Sequence, residues 1–379
     1  MPASLAAIGE GATLAAAGRT RPGGLRVTTT FPCRQCGAEL TFSPGAGRLK
    51  CQYCGTENDP PVATAGVAEQ DLSAWIEPAA SETATEERLA VRCTACGAES
   101  SLGANTTAGR CPFCGTATMA GARSVRLIKP AGLLAFTVDR DRAFAAFRTW
   151  VRGLWFAPNA LKRLAAQIGE MAGVYLPFWT FDCATTSGYS GRRGDDTHST
   201  ERVREGGRTV TRTVTHTSWT RVSGTVECPF DDVLVPATRS LPECLLAALE
   251  PWDLDRVVPY TEEYLAGFAA ESYGVPIKEG WARAREIIDG QIRAAIARDI
   301  GGDHQEILAV DTAITAQTFK HLLLPVWISA YTFKDMVFRF VVNARTGEVQ
   351  GERPWSWVKI AAAILAVVAL LVAAALAKS

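Results

Sequence analysis

The chain has 379 residues, enough for two or three domains, and 47% of them are hydrophobic, so a sizeable core can be built. Lys plus Arg and Asp plus Glu each total 39, which leaves no overall basic excess to mark a nucleic-acid or anionic-lipid binder; such binding would need a local patch. Eight of the eleven cysteines stand in four Cys-x-x-Cys pairs, a usage that argues against a disulfide scaffold and a secreted protein and for metal in a reducing compartment.

Residues 1–30 read as a flexible tail. Met1 to Gly18 is rich in Ala, has no Lys or Arg ahead of its apolar part and includes Glu10, so it lacks the charged start of a signal peptide. Residues 31–57 follow as a first cysteine module, with Cys33, Cys36, Cys51 and Cys54; residues 88–118 repeat it with Cys93, Cys96, Cys111 and Cys114. Both have fourteen residues between the inner cysteines, and Gly37, Gly55, Gly97 and Gly115 follow the four pairs. Two thiolates on one tight turn can face one ion, and a Gly after them takes the positive φ that turns backbone N–H groups towards the sulfurs. Two such turns complete a tetrahedral four-thiolate site, so the pattern predicts two zinc ribbons and two Zn2+ ions per chain. With all four positions filled by protein the zinc has no open site for water, and its role is structural. The first ribbon sets Arg34, Arg48 and Lys50 against Glu39 and Glu57, a balance that favours a protein contact or a purely structural part over binding to DNA or RNA. Between the modules, residues 58–87 carry Pro60, Pro61 and Pro78 and read as a flexible linker, within which Leu72, Trp75 and Ile76 form a bulky apolar cluster that could dock as a short motif.

Residues 119–353 mix helical and strand periodicity and predict an α+β domain, an antiparallel sheet covered by helices. Asp139 precedes a segment with Phe144, Phe147 and Val151 at helical spacing, Pro158 begins another with Leu161, Leu164 and Ile168, a third follows Thr261, and a longer one carries Trp281, Ala284, Ile288, Ile292 and Ile296 on one face. Leu176-Pro-Phe-Trp179 and Leu324-Pro-Val-Trp327, 148 residues apart, each follow a helical stretch and open a strand, which suggests an internal duplication. Residues 190–224 break the pattern: Arg208 to Trp219 alternates with polar residues on both faces, and the segment holds seven Arg against four acids. This hairpin is too polar to bury itself, and reads as an arm that pairs with a partner or a second copy, or as a solvated insertion. No nucleotide-binding, hydrolase or catalytic-metal motif is present, and His198, His216, His304 and His321 are scattered. The expectation is a chain that is not an enzyme. Cys183, Cys228 and Cys244 lack metal spacing and read as buried thiols.

From Ile360 to Ala377 run 18 uncharged apolar residues, about 27 Å of helix, close to one hydrocarbon core. Trp355, Trp357, Arg353 and Lys359 precede the run as an interfacial belt. Residues 358–377 are therefore predicted to form one transmembrane helix, and the free thiols place the bulk of the chain on the cytoplasmic side.

The order of two ribbons, Leu176-Pro-Phe-Trp-Thr-Phe-Asp182, Asp231-Asp232-Val-Leu-Val-Pro236, Leu324-Pro-Val-Trp327 and Val342-Asn343-Ala-Arg-Thr346-Gly347 resembles uncharacterised bacterial zinc-ribbon membrane proteins. These are often labelled primosomal or helicase-like from their ribbons, although the helicase nucleotide motif is missing here. Some are encoded near membrane scaffold proteins of the SPFH class, so the resemblance implies a membrane adaptor with such a partner. Some relatives carry one ribbon, which would make the second an added docking site. The sequence thus predicts a membrane-anchored scaffold that holds cytoplasmic proteins and could form homo-oligomers, with a membrane-tethered nucleic-acid binder as the alternative.

Overall fold

The computed structural model describes residues 31–60, 66–76, 85–94, 98–101, 109–111, 113, 116–118, 123–161, 171–205, 208–333 and 336–377. In chain order these form β1 (Leu40–Ser43), β2 (Arg48–Cys51), β3 (Glu57–Asn58), β4 (Gln70–Asp71), α1 (Ser73–Ile76), β5 (Thr85–Arg92), β6 (Glu99–Ser101), β7 (Gly109–Arg110), β8 (Ala117–Thr118), β9 (Arg123–Ile128), β10 (Gly132–Leu133) and α2 (Arg140–Gly153). They continue with β11 (Ala172–Glu205), β12 (Arg208–Pro236), α3 (Glu243–Ala247), β13 (Val258–Pro259), β14 (Ala269–Glu271), α4 (Ile277–Ile300), β15 (His304–Phe333), β16 (Met336–Asn343), β17 (Val349–Gly351) and α5 (Trp357–Leu376). The fold is α+β, as the periodicities predict. β1, β2 and β3 make a small sheet of their own, and twelve strands join in one large sheet centred on β11 and β15.

The suggested duplication is built into that sheet. β11 and β15 run antiparallel with Leu176 opposite Leu324, so the two Leu-Pro phrases face one another about a local twofold axis. Each unit is a short strand, a helix, a long strand and a return strand: β10, α2, β11 and β12 in the first, β14, α4, β15 and β16 in the second. The short strands are exchanged, β10 pairing parallel with β15 and β14 parallel with β11. Trp179 Nε1 donates to Val275 O at 2.9 Å, and its counterpart Trp327 Nε1 donates to Val138 O at 2.8 Å. Backbone bonds repeat in the same way: Gly274 and Val275 donate to Ala237 O, and Thr137 and Val138 donate to Ala344 O. A buried indole N–H and a buried carbonyl each need a partner, so each bond ties one unit's tryptophan to the other unit's helix entry.

Alternation along β11 and β15 sorts the side chains onto two faces. Tyr175, Leu323 and Trp327 point to one face, where α2 buries Ala143, Phe147 and Val151; further along the same face, Trp179 and Phe181 meet α4. All five residues of the predicted α4 stripe, Trp281, Ala284, Ile288, Ile292 and Ile296, are buried. Gly280 lies so close to the Trp179 ring that a Cβ there would stand 2.7 Å from it. Leu176, Leu322, Leu324 and Ile328 point to the opposite face, covered by Leu246 of α3 and by Cys93, Cys111 and Phe113.

Several expectations are corrected. The stretch 58–87 is not simply a linker: Leu72 is fully buried with Trp75 and Ile76 packed beside it, and β4 pairs with β15 at Thr318 and Phe319. β15 begins at His304, twenty residues before the Leu-Pro phrase, because it pairs with β11 from Ala172 to Gly194. After Thr261 there is only the short 3₁₀ turn Glu262–Leu265. Cys183 is buried, whereas Cys228 is half-buried and Cys244 exposed. The segment following Pro158 is helical at 159–161, and the rest of that predicted helix, with Leu164 and Ile168, lies outside the described residues, as do the tail 1–30, Cys96 and Cys114.

The arm is real but shorter than 190–224. As far as Gly194, β11 is flanked by both β12 and β15, with Gly194 opposite His304. The Tyr189 hydroxyl donates to Asp299 Oδ2 at 2.6 Å, and Arg192 pairs with Glu306 while its guanidinium lies 5.6 Å from the Trp219 ring centre. Only beyond Asp195 and before Ser218 is the hairpin two-stranded, a projection of about 35 Å.

Candidate metal centre

Ribbon 1 brings its four predicted ligands together. The Sγ atoms of Cys33, Cys36, Cys51 and Cys54 all lie within 4.8 Å of one another and could hold a metal ion. Cys33 Sγ is 3.6 Å from Cys54 Sγ, and Cys36 Sγ is 3.5 Å from Cys51 Sγ, far beyond the roughly 2.05 Å of a disulfide. The edge of a sulfur tetrahedron with metal bonds of about 2.3 Å is roughly 3.8 Å, so these separations fit one ion. Each knuckle is shaped by its backbone. Cys33 N donates to Ala38 O and Gly37 N to Cys33 O, while Cys51 N donates to Thr56 O and Gly55 N to Cys51 O. Gly37 and Gly55 take φ of +74° and +77°, the left-handed turn that the sequence required of them. Gln35 N and Cys54 N point at Cys33 and Cys51 sulfurs from 3.4 and 3.5 Å. The Cys54 thiol is drawn down to about 6, first by the Thr56 hydroxyl and then by the Thr56 backbone, while the Cys36 thiol is pushed up, its backbone bond to Ala38 outweighed by the neighbouring thiols.

Ribbon 2 shows the same knuckle bond on both of its described cysteines. Cys93 N donates to Ala98 O at 2.8 Å and Cys111 N to Thr116 O at 2.9 Å, matching Cys33 to Ala38 and Cys51 to Thr56 in ribbon 1. Cys93 and Cys111 are both buried. Ribbon 2 is not a separate bead: β5 and β6 extend the large sheet through β14, with Ser101 opposite Ala270. Ribbon 1 is likewise docked, since Cys33, Leu40, Phe42, Leu49 and Cys51 belong to the same core as Phe136, Tyr175 and Trp327, and Phe42 N donates to Ala266 O.

Two further polar groups lie outside the ribbons. At the bulge in β11, Asp182, Asp231 and Asp232 converge, and Lys320 answers them, 2.8 Å from Asp232, 3.4 Å from Asp182 and 3.2 Å from Glu69. Burial works to lower the Lys320 pKa, but hydrogen bonding to Asp232 and the charge of Asp182 overcome it and keep the ammonium charged. Asp232 takes φ of +52°, and its N–H donates to Asp182 Oδ1 at 2.5 Å. With an internal cation in place, the cluster is a clamp that holds the chain at Glu69 against β15. The residues carrying it stood in the sequence resemblance, but nothing in their spacing pairs them with Lys320.

Glu271 is the other group, buried at the seam between β14 and β6 where the first unit has Leu134. Burial raises its pKa from 4.5 to about 7, the Ser240 and Thr238 hydroxyls work against the shift, and Glu99 adds to it. A carboxyl with a raised folded-state pKa keeps its proton longer in the folded chain, so stability falls as pH climbs from about 4.5 to about 7 and then levels off. Glu271→Gln is expected to match the parent near pH 4 and to be more stable at pH 8, by up to about 3 kcal/mol. Urea unfolding of both proteins at the two pH values checks this, and identical pH profiles would contradict it.

At the far end of the chain, α5 is long and apolar enough to cross a membrane, and none of its residues is buried against the protein.

No family model matches the chain, and no solved structure matches it. It is similar to the uncharacterized protein YdjG of Bacillus subtilis (strain 168), 28% identical over 335 residues that cover 88% of this chain and 92% of that protein.

Proposed function

We propose that this protein is a non-enzymatic scaffold, anchored in the cell membrane by α5 with its bulk in the cytoplasm, and carrying two structural Zn2+ ions. In this reading Cys33, Cys36, Cys51 and Cys54 hold the first ion and Cys93, Cys96, Cys111 and Cys114 the second. Zinc supplies cross-linking of the knuckles and no chemistry on a substrate, because four thiolates leave no open position.

The arm is the observation that carries the scaffold reading. Among the described residues β12 pairs only with β11, so its outer edge offers unpaired N–H and C=O groups along the projecting tip. Natural proteins cover or shorten such edges, and one left long is a template for adding a strand from another chain. The partner is a protein at the membrane surface, either a second copy or a scaffold protein of the SPFH class. Replacing residues 196–217 by a short Gly turn should change the melting temperature little, since few apolar side chains are lost, yet abolish co-purification with an SPFH-class protein and self-association in detergent. Unchanged association would overturn the role of the arm. Arg202, Arg204 and Arg212 on the exposed tip give the nucleic-acid alternative its footing, and affinity for single-stranded DNA that falls steeply with salt would favour it.

A further inference from the structure

α5 does not leave the domain through a free tether. Ser356 N, at the start of the helix, donates to Phe156 O at 2.8 Å. The Lys359 ammonium is held by Trp155 O at 3.2 Å and Ala157 O at 2.8 Å on the loop that follows α2, and by Asn159 Oδ1 at 2.8 Å just after it. The Phe156 and Trp355 rings lie 6.5 Å apart, and the Arg353 guanidinium sits 4.6 Å from the Trp355 ring centre. Lys359 is therefore occupied by the protein and is not a lysine reaching for lipid phosphate.

This clamp sets a depth. Lys359 is two residues beyond Trp357, about 3 Å along the axis, so the loop bonded to it lies level with the first turn of α5. On that loop Trp155 is 79% exposed and Phe156 36%, beside Trp355 at 53% and Trp357 at 79%. Four aromatic side chains thus share one level at the end of an apolar helix, and three of them have an exposed indole. Indoles favour the layer between headgroups and acyl chains, where the ring is sheltered and the N–H stays hydrated.

We propose that Trp155 and Phe156 form a second membrane contact, entering the interfacial layer next to Trp355 and Trp357 and fixing the tilt of the domain on the bilayer. The inference rests on the reading of α5 as a membrane anchor, and its occupant is the lipid interface itself. Among the described residues Trp155 is the most exposed tryptophan outside α5, and a flexible tether would not need the three oxygens on Lys359.

The test uses the full chain in vesicles of phosphatidylethanolamine and phosphatidylglycerol, with p-benzoylphenylalanine placed singly at Trp155, at Leu365 within α5 and at Leu308. All three positions are exposed, at 79%, 69% and 55%, so the replacement displaces no core. Leu308 lies at the base of the arm, between Ile307 opposite Gly191 and Ala309 opposite Ser190, and serves as the water-facing control. Ultraviolet irradiation followed by mass spectrometry should give lipid adducts at 155 and 365 and none at 308. Lipid adducts at 365 with none at 155, or with protein cross-links at 155, would overturn the second contact while leaving the anchor standing. Absence of lipid adducts at 365 would overturn the anchor and the proposal together.

Discussion

Cys51→Ser is expected to halve the metal content of the purified full-length protein, from about two ions per chain to about one, and to lower its melting temperature by about 10 °C or more. The second part follows from packing. Ribbon 1 read alone would unfold locally and leave the domain intact, but Cys51, Leu49 and Phe42 share a core with Phe136, Phe147, Tyr175 and Trp327. Phe42 also rests 5.2 Å from the Tyr264 ring and is bonded through its backbone to Ala266. Metal binding to such a site is folding free energy, and losing it frees β1 and β2 to leave the core. Removing one buried aromatic costs about 3–5 kcal/mol, and at 2–4 °C per kcal/mol for a domain of this size that alone accounts for the shift. Inductively coupled plasma mass spectrometry reads the metal, and thermal unfolding under reducing conditions reads the stability. A variant that keeps its full metal content would overturn the assignment of Cys51 as a ligand; one that loses metal with an unchanged melting temperature would show that the ribbon is not coupled to the core.

Deleting residues 357–379 is expected to move the protein from the membrane fraction to the soluble fraction almost completely. α5 is 20 residues long, about 30 Å, and none of its residues is buried in the domain, so its removal releases the Lys359 bonds to the loop at Trp155 but leaves no core exposed. The aromatic loop that remains can contribute only an interfacial contact, no stronger than one acyl chain at roughly 10⁴ M⁻¹, which dilution and washing remove. Fractionation followed by a high-salt wash measures the distribution. Retention of most of the truncated chain on washed membranes would show an apolar attachment elsewhere in the molecule.

The sequence by itself determined the features whose chemistry is local. A cysteine knuckle is two cysteines, the residues between them and a glycine at positive φ, so Cys33 to Gly37 and Cys51 to Gly55 could be read from spacing, and their four sulfurs lie together where they could hold a metal ion. The apolar run of α5 needs no partner to be recognised, and the α4 stripe from Trp281 to Ile296 follows from 3.6-residue periodicity. The paired Leu-Pro phrases hinted at a repeat, but two short phrases carry no information on how the copies meet.

What only the tertiary structure decided depends on pairings between residues far apart in the chain. That Leu176 lies opposite Leu324, and that each tryptophan bonds to the other unit's helix entry, is a matter of strand register, which the residue pattern alone does not specify over strands of 30 residues or more. The polar stretch around Tyr189 looked unable to pack because its cover, β15 and the end of α4, comes 110 residues later. Leu72, Trp75 and Ile76 could be read as a cluster able to dock, but where they dock could not, because the groove that buries Leu72 is built from residues 128 onwards. Lys359 looked like a lipid-facing lysine until the loop at Trp155 came within hydrogen-bonding distance of it. In each case the side chain's own chemistry allowed two environments, and burial by distant residues chose between them.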